Sequence, residues 1–149
     1  MLQQGVELLF LEELIQDGVL SVMEQSQGEI LPNLLIDTCG WVAVVDSRMN
    51  IDLEINRTIG PSDWILPSQV KLELEKMGEK RTDLLLDLLL SRSEVIESKH
   101  KHADDTLLML AKNTGSRVLT VDKELKRRLI AEGCGYLEVV KDSSLRLIE

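Results

Sequence analysis

The chain has 149 residues, of which 44% are hydrophobic, as expected for one folded domain with a core built mostly from Leu, Ile and Val. Its formal net charge of −9 excludes a protein that binds along nucleic acid through its overall positive charge. It does not exclude an enzyme that binds nucleic acid through a local basic surface. No membrane span, signal peptide or disulfide framework is recognisable, so we expect a cytoplasmic protein that does not enter a membrane.

The N-terminal residues differ in pattern from the rest of the chain. Apolar side chains recur near helical spacing over residues 3–16, which predicts an amphipathic helix that ends at Asp17-Gly18. Residues 19–30 fit either a second short helix or an extended arm. We therefore divide the chain into an N-terminal helical extension, residues 1–30, and a main domain, residues 31–149.

Apolar strands alternate with helices through the main domain. The predicted strands are residues 34–37, 64–66, 94–97, 117–121 and 136–140. The predicted helices are residues 41–47, 51–59, 69–77, 83–92, a helix that begins at Asp104-Asp105, and residues 123–133. This alternation predicts an α/β architecture with a mainly parallel sheet and right-handed crossovers.

A carboxylate follows each of the first four predicted strands. Open α/β sheets bind ligands beyond the carboxyl ends of their strands, so these acids are expected to converge. They are Asp37, then Glu73 and Glu75, then Asp104 and Asp105, and finally Asp122. Converging carboxylates repel one another without a cation, and Mg2+ and Mn2+ prefer oxygen ligands. The pattern predicts a divalent-metal site, and sites of this kind catalyse phosphodiester hydrolysis.

Each acid also has a simpler interpretation. Asp104 and Asp122 stand where Asp is a common helix N-cap, and Glu73 and Glu75 fit exposed helix positions. Asp37 is the least easily explained in this way, because Ser or Thr would cap a helix equally well. The joint placement carries more information than any one acid, and the sequence contains no glycine-rich phosphate loop, GxSxG elbow or HExxH motif.

Four short motifs resemble those of the PIN-domain ribonucleases. LLIDTC, residues 34–39, is similar to the family's strand ending in D-T-N or D-T-S, and PSQVKLEL, residues 67–74, matches P-S-x-V-x-x-E-L. ADDTLLMLA, residues 103–111, matches the A-D-D motif, and TVDKELKRRL, residues 120–129, matches T-x-D followed by a basic helix. The last two strings are most similar to the archaeal type related to rRNA-processing nucleases and VapC-like toxins.

This resemblance implies a fold and an activity. The fold would be a three-layer α/β/α sandwich around a central, mainly parallel five-stranded sheet. The activity would be metal-dependent endoribonucleolytic hydrolysis, in rRNA processing or as a VapC-like toxin, leaving a 5′-phosphate and a 3′-hydroxyl.

The resemblance also implies a role for each matching residue. The catalytic and metal-binding acids, for Mg2+ or Mn2+, would be Asp37, Glu73, Asp104 and Asp122, with Asp105 as an auxiliary metal-binding acid. Thr38 and Thr120 would support these carboxylates with their hydroxyls, and Glu75 would be solvated. Cys39 departs from the family, which more commonly has Asn or Ser there, and so removes a polar group that usually orients the site.

Basic residues flank the expected acid pocket and are candidates for RNA phosphate contacts. They are Lys99, Lys101, Lys123, Lys126 and Arg127. The alternative is a solvated basic helix face with i,i+4 partners such as Glu124 and Arg128. His100 and His102 are poor zinc ligands, because no further soft ligand is apparent.

Partners and rival functions follow from the same resemblance. Family members are often dimers, so we expect a homodimer through the leucine-rich residues 82–92 or the N-terminal helix, and the sequence leaves an antitoxin or ribosomal partner open. One alternative function is a PIN-like binding or scaffold module with weak or no catalysis. A phosphotransfer receiver would need a Lys at a later strand end, for which Lys141-Asp142 is poor evidence.

Overall fold

A computed structural model describes residues 32–78, 84–98, 100–141 and 143–149. The helix predicted over residues 3–16 and the segment 19–30 lie outside these residues. The division of the chain near residue 30 therefore stays a prediction.

Strands and helices alternate along the described residues. In chain order they are β1 (Asn33–Ile36), α1 (Thr38–Ser47), α2 (Ile51–Ile59), β2 (Asp63–Pro67), α3 (Ser68–Gly78), α4 (Leu84–Arg92), β3 (Ser93–Ile96), α5 (Ala103–Thr114), β4 (Arg117–Leu119), α6 (Lys123–Ala131), β5 (Tyr136–Val140) and β6 (Ser144–Ile148). The longest of these helices, α5, has 12 residues. No helix in the described ranges has the length and apolar character needed to cross a membrane.

The strands form one sheet in the order β3-β2-β1-β4-β5-β6. The first five in this order are parallel, and β6 runs antiparallel to β5. Leu35 of β1 pairs with Ile65 of β2 on one side and with Val118 of β4 on the other. Helices cover both faces, so the predicted three-layer α/β/α sandwich with a mainly parallel sheet is confirmed.

Within the described residues the sheet has six strands, one more than the five that we predicted. The additional strand, β6, follows a tight turn in which Ser143 adopts a positive φ of 55°. In β6, Leu145 is buried and Leu147 packs against the core, an alternation that runs over only five residues. Such a short alternation at the end of the chain did not suffice to predict a strand.

Helix α1 begins three residues before the predicted start at Trp41, because the Asp37 side chain accepts a hydrogen bond from the backbone N–H of Thr38. Gly40 permits this early start. A Cβ atom at Gly40 would lie 2.2 Å from the carbonyl oxygen of Leu119, at the end of β4. The glycine therefore lets α1 begin directly against the carboxyl end of β4.

Two side chains of α2 are bonded to the outer edge of β6 at Leu145. The Glu54 carboxylate accepts a hydrogen bond from the backbone N–H of Leu145 at 2.9 Å, and Arg57 donates to the Leu145 carbonyl at 2.7 Å. Glu54 and Arg57 also pair with each other at 2.9 Å. The backbone groups of Leu145 that face away from β5 are thus satisfied within the chain.

The core lies on both faces of the central strand β1. Leu34, Leu35 and Ile36 are all buried, as expected for a parallel strand covered on two sides. On one face, the rings of Trp41 and Trp64 meet edge to face, with centroids 5.9 Å apart. This packing fixes α1 and β2 relative to each other.

Candidate active site

The four acids predicted from the sequence line one open cleft of about 780 Å3. The cleft lies at the carboxyl ends of β1 and β4, beside the starts of the helices that follow them. Its lining residues are Asp37, Thr38, Cys39, Val42, Ala43, Asp46, Glu73, Lys76, Met77, Asp104, Val121 and Asp122. The fold therefore brings together the acids of four separate strand-to-helix transitions.

Asp37 is the most enclosed of these acids, with 5% of its surface exposed. Its Oδ2 accepts hydrogen bonds from the Thr120 hydroxyl at 2.7 Å and from the Cys39 thiol at 3.1 Å. Burial raises the pKa of Asp37, hydrogen bonds from Thr120, Cys39 and Thr38 oppose the rise, and the charge of Asp122 adds to it. The carboxylate is held in place while its negative charge is poorly solvated.

The Thr120 hydroxyl joins two of the acids. It donates to Asp37, and it accepts a hydrogen bond from the backbone N–H of Asp122 at 3.1 Å. Asp122 in turn caps α6, because its Oδ1 accepts from the backbone N–H of Leu125 at 2.8 Å. Asp122 is thus both a helix cap and a cleft acid, which combines the two interpretations that the sequence offered.

Thr38 makes the corresponding contact on the other side of the cleft, where its hydroxyl donates to Glu73. Glu73 projects from the exposed side of α3 and lines the cleft. Glu75 points elsewhere and pairs loosely with Lys71, at 4.0 Å. The hydroxyls of Thr38 and Thr120 therefore contact Glu73 and Asp37 respectively.

Asp104 lies in the first turn of α5, and its pKa shows most clearly that the acids interact electrostatically. Burial raises its pKa, and the charges of Asp37, Asp122 and Glu73 raise it further, while Arg128 opposes them. A group whose pKa responds to three other acids lies in a shared negative field. A divalent cation in the cleft would relieve that repulsion.

The acids do not surround a common point as their side chains stand. Within the described ranges, no group of three or more His, Cys, Asp or Glu side chains is arranged to hold a metal ion. Among these acids, Asp37 accepts hydrogen bonds from Thr38, Cys39 and Thr120.

Cys39 contributes a polar contact to the site. Its thiol lies 3.1 Å from Asp37 Oδ2 and 3.4 Å from the Thr120 hydroxyl. Burial raises the pKa of the thiol, and the charge of Asp37 raises it as well, so the thiol stays protonated and can donate. The expectation that cysteine removes a polar group from this position was therefore wrong.

Asp105 lies beside the cleft and is not among its lining residues. Its Oδ1 accepts a hydrogen bond from the Arg128 guanidinium at 3.0 Å. This hydrogen bond lowers the pKa of Asp105, so the carboxylate is charged at neutral pH. The structure brings Asp105 to Arg128, whereas Asp104 turns into the cleft.

Two of the cations expected to bind RNA are engaged with acids of this chain. Lys126 pairs at 2.5 Å with Glu138, a largely buried carboxylate on β5. Arg127 pairs with Glu124 on its own helix and is 69% exposed. Neither lines the cleft.

The remaining predicted cations lie in or near the loop before α5 and at the start of α6. Lys101 and Lys123 are exposed, and Lys99 lies outside the described residues. His100 and His102 lie in the same loop as Lys101, and they belong to no metal-binding group within the described ranges.

Several cleft residues were missed by the sequence interpretation. Asp46 and Lys76 add charge to the cleft, and Val42, Ala43 and Met77 give it an apolar wall. Residues 39, 42, 43 and 46 recur at helical spacing, so once α1 is known to begin at Thr38 they fall on one face. That periodicity was an available signal, since residues 42, 43 and 46 also lie within the predicted helix 41–47.

A mainly parallel sheet with four acids at its carboxyl edge defines an acid-cleft α/β domain. The family model described as a PIN like domain matches residues 34–140, and the chain belongs to that family. The resemblance predicted from the four motifs is therefore confirmed.

Two known proteins resemble the chain over most of their own lengths. Ribonuclease VapC9 of Archaeoglobus fulgidus is 31% identical, over 72% of this chain and 90% of that protein. The structure of the PIN domain endonuclease Utp24 superimposes with a TM-score of 0.65, over 77% of this chain and 90% of that one. At 24% identity, the second match supports the fold alone.

Proposed function

We propose that the protein is an endoribonuclease that depends on Mg2+ or Mn2+ and hydrolyses RNA phosphodiester bonds. The observation that carries this proposal is the convergence of Asp37, Glu73, Asp104 and Asp122 on one cleft. The similarity to a protein named as a ribonuclease supports RNA as the substrate. Its cellular role would be rRNA processing or that of a VapC-like toxin.

The donor set of the cleft fits Mg2+ or Mn2+. Asp37, Glu73, Asp104 and Asp122 offer only carboxylate oxygens, which suit hard divalent ions. Burial and mutual repulsion raise the pKa of Asp104, so a cation would be attracted to the cleft. Such an ion supplies Lewis-acid stabilisation of charge on a phosphodiester and eases deprotonation of the attacking water.

The residues around the acids orient them for this role. Thr120 and Cys39 direct Asp37 Oδ2, and the backbone N–H of Leu125 engages one oxygen of Asp122. Glu73 is exposed and has three rotatable side-chain bonds, so it can leave Thr38 and turn towards the other acids. Arrangement of the acids around an ion would thus begin with Glu73, while Asp37 stays in place.

A second candidate function is a catalytically weak or inactive PIN-like binding module. Two observations favour it: the acids are not already arranged around an ion, and a weak S–H donor occupies position 39. A cytoplasmic location was expected from the sequence, and a homodimer and an antitoxin or ribosomal partner are implied by the family resemblance alone; all three remain predictions.

Cleavage of a mixed RNA pool in Mg2+, Mn2+ or EDTA tests the proposal. We expect fragments with 5′-phosphate ends in either metal and intact RNA in EDTA. Asp37→Asn should abolish cleavage and leave the fold intact, as judged by circular dichroism. Cleavage that persists in EDTA, or full activity of Asp37→Asn, would refute the assignment.

Glu73 and Glu75 provide a matched pair for the same assay. Both are exposed glutamates on α3, two residues apart, but only Glu73 lines the cleft. We expect Glu73→Gln to reduce the cleavage rate by roughly a hundredfold or more and Glu75→Gln to leave it unchanged. Equal effects of the two substitutions would indicate that position in the cleft is irrelevant, as in a binding module.

A further inference from the structure

The basic residues of α6 are separated by the acids that they contact. Lys126 is bound to Glu138, and Arg127 is bound to Glu124 within the same helix. Arg128 instead reaches across to α5, where it pairs with Asp105 at 3.0 Å. Of these three cations, Arg128 is the one whose partner adjoins a cleft acid, since Asp105 follows Asp104 in the chain.

The Arg128 guanidinium is anchored and still accessible. Its side chain is 33% exposed, and the bond to Asp105 engages one terminal nitrogen of a group that carries five N–H donors. The bond to Asp105 restricts the conformations of the Arg128 side chain but leaves the guanidinium accessible to solvent. Such a planar, fixed cation is suited to bidentate contact with a phosphate.

Arg128 also lies close to the cleft, because its partner Asp105 follows Asp104, and Asp104 lines the cleft. RNA that approaches four carboxylates is repelled by them except where cations compensate for their charge. A guanidinium beside Asp104 would offset that repulsion for a phosphate at the rim of the cleft.

We propose that Arg128, positioned by Asp105, binds a phosphate of the RNA next to the phosphate that is cleaved. This assignment rests on the proposed endoribonuclease function. It gives Arg128 the substrate-binding role that the sequence suggested for Lys126 and Arg127, and it gives Asp105 a positioning role. The ligand is a phosphodiester of the RNA backbone, so contact with Arg128 carries no base preference.

Arg127 and Arg128 form a matched pair for the test, because they are adjacent, charged and each paired with one acid. Steady-state cleavage of a single-stranded RNA oligonucleotide would be measured in Mg2+ for Arg128→Gln and Arg127→Gln. We expect Arg128→Gln to raise KM about tenfold with little change in kcat, and Arg127→Gln to change KM less than about twofold. Equal KM values for the two variants would overturn the role of Arg128.

Salt dependence distinguishes a phosphate contact from a structural effect. For binding of the same oligonucleotide in the non-cleaving Asp37→Asn background, adding Arg128→Gln should reduce the slope of log Kd against log salt by about 0.7, and adding Arg128→Lys should preserve it. Asp105→Asn should weaken RNA binding less than Arg128→Gln does, because the Arg128 guanidinium keeps its positive charge and loses only its anchor. An unchanged slope for Arg128→Gln would refute the phosphate contact.

The unsubstituted protein separates failure of this inference from failure of the proposed function. If it cleaves the oligonucleotide and Arg128→Gln behaves as Arg127→Gln does, the phosphate role alone is wrong. If it neither binds nor cleaves RNA, the proposed function is wrong, and the role of Arg128 is refuted with it.

Discussion

Thr120 and Asp37 are 83 residues apart in the chain, and their side chains meet through a hydrogen bond of 2.7 Å. The contact forms because β1 and β4 are parallel neighbours, so residues that follow the two strands meet at one edge of the sheet. Thr120 is fully buried and also accepts from the backbone N–H of Asp122. One hydroxyl therefore fixes two acids of the cleft relative to each other.

Replacement of Thr120 by valine should impair both stability and activity. The substitution keeps the shape of the side chain but removes the donor to Asp37 and the acceptor for the N–H of Asp122. Loss of these bonds at a buried site should lower the free energy of unfolding by about 1–3 kcal/mol, measured by urea denaturation. We also expect the RNA cleavage rate to fall by roughly tenfold or more, since Asp37 loses its shorter side-chain hydrogen bond.

Thr58→Val is the control for this substitution. The Thr58 hydroxyl donates to the carbonyl of Glu54 within α2, away from the cleft. Its removal should cost less than about 1 kcal/mol and leave cleavage unchanged. A Thr120→Val protein that cleaves RNA at the unsubstituted rate would show that the hydroxyl does not organise the acids.

Substitutions of Cys39 test whether the thiol supports Asp37. Serine at this position would keep a donor to Asp37 Oδ2, whereas alanine would remove it. We expect Cys39→Ser to retain the cleavage rate within about twofold and Cys39→Ala to lower it about fivefold, the effect of one hydrogen bond. Equal rates for the serine and alanine variants would contradict a role for the thiol.

Asp104 should make the metal-free protein less stable as the pH rises. Its folded pKa is raised above 3.8, so the folded state binds this proton more tightly than the unfolded state does. The resulting stabilisation is complete below the unfolded pKa and is lost as the pH rises through the folded pKa. In EDTA, Asp104→Asn should therefore gain thermal stability relative to the unsubstituted protein between pH 4 and pH 7.

Mg2+ should reverse this difference. The ion would stabilise the charged carboxylates of the unsubstituted protein more than those of Asp104→Asn. Calorimetry at pH 4, 5.5 and 7, with and without Mg2+, measures both effects. A difference in Tm between the two proteins that is independent of pH would show that the pKa of Asp104 is not raised.

Gly40→Ala should be the most destabilising substitution near the cleft. The added methyl would lie 2.2 Å from the Leu119 carbonyl oxygen and 2.9 Å from the backbone nitrogen of Thr120. Leu119 ends β4, and the Thr120 backbone N–H is bonded to the Leu137 carbonyl of β5, so α1 would have to move away, at a cost of about 3 kcal/mol or more. Gly115→Ala is the control, because its φ is +71° but open space surrounds it, and about 1 kcal/mol is expected there. Chemical denaturation of both variants compares them directly, and equal losses would argue against the close approach.

The acids of the cleft could be predicted because their positions follow from topology. Asp37 and Asp122 come after strands that are parallel neighbours, so strand order alone places them together. The choice between Arg127 and Arg128 could not be predicted in this way. Both are long side chains on α6, and only the packing of α6 beside α5 decides which of them meets Asp105.

Short contacts between particular atoms also could not be predicted from the sequence. Nothing in the string DTCGW states that residue 40 lies against the Leu119 carbonyl, because that distance depends on where α1 begins. The thiol of Cys39 was expected to remove a polar group, whereas its contact with Asp37 depends on a side-chain orientation that only the folded helix defines. Strand ends are determined by sequence order, but contacts of this kind are determined by three-dimensional packing.

The hydrogen bonds that Glu54 and Arg57 make to Leu145 of β6 should limit self-association of the protein at high concentration. An edge strand with open N–H and C=O groups is a template on which a second chain can add a strand. At Leu145, both outward backbone groups are already bonded to side chains of α2. Substitution of Glu54 should therefore cause self-association through this edge at high protein concentration, while the protein remains folded.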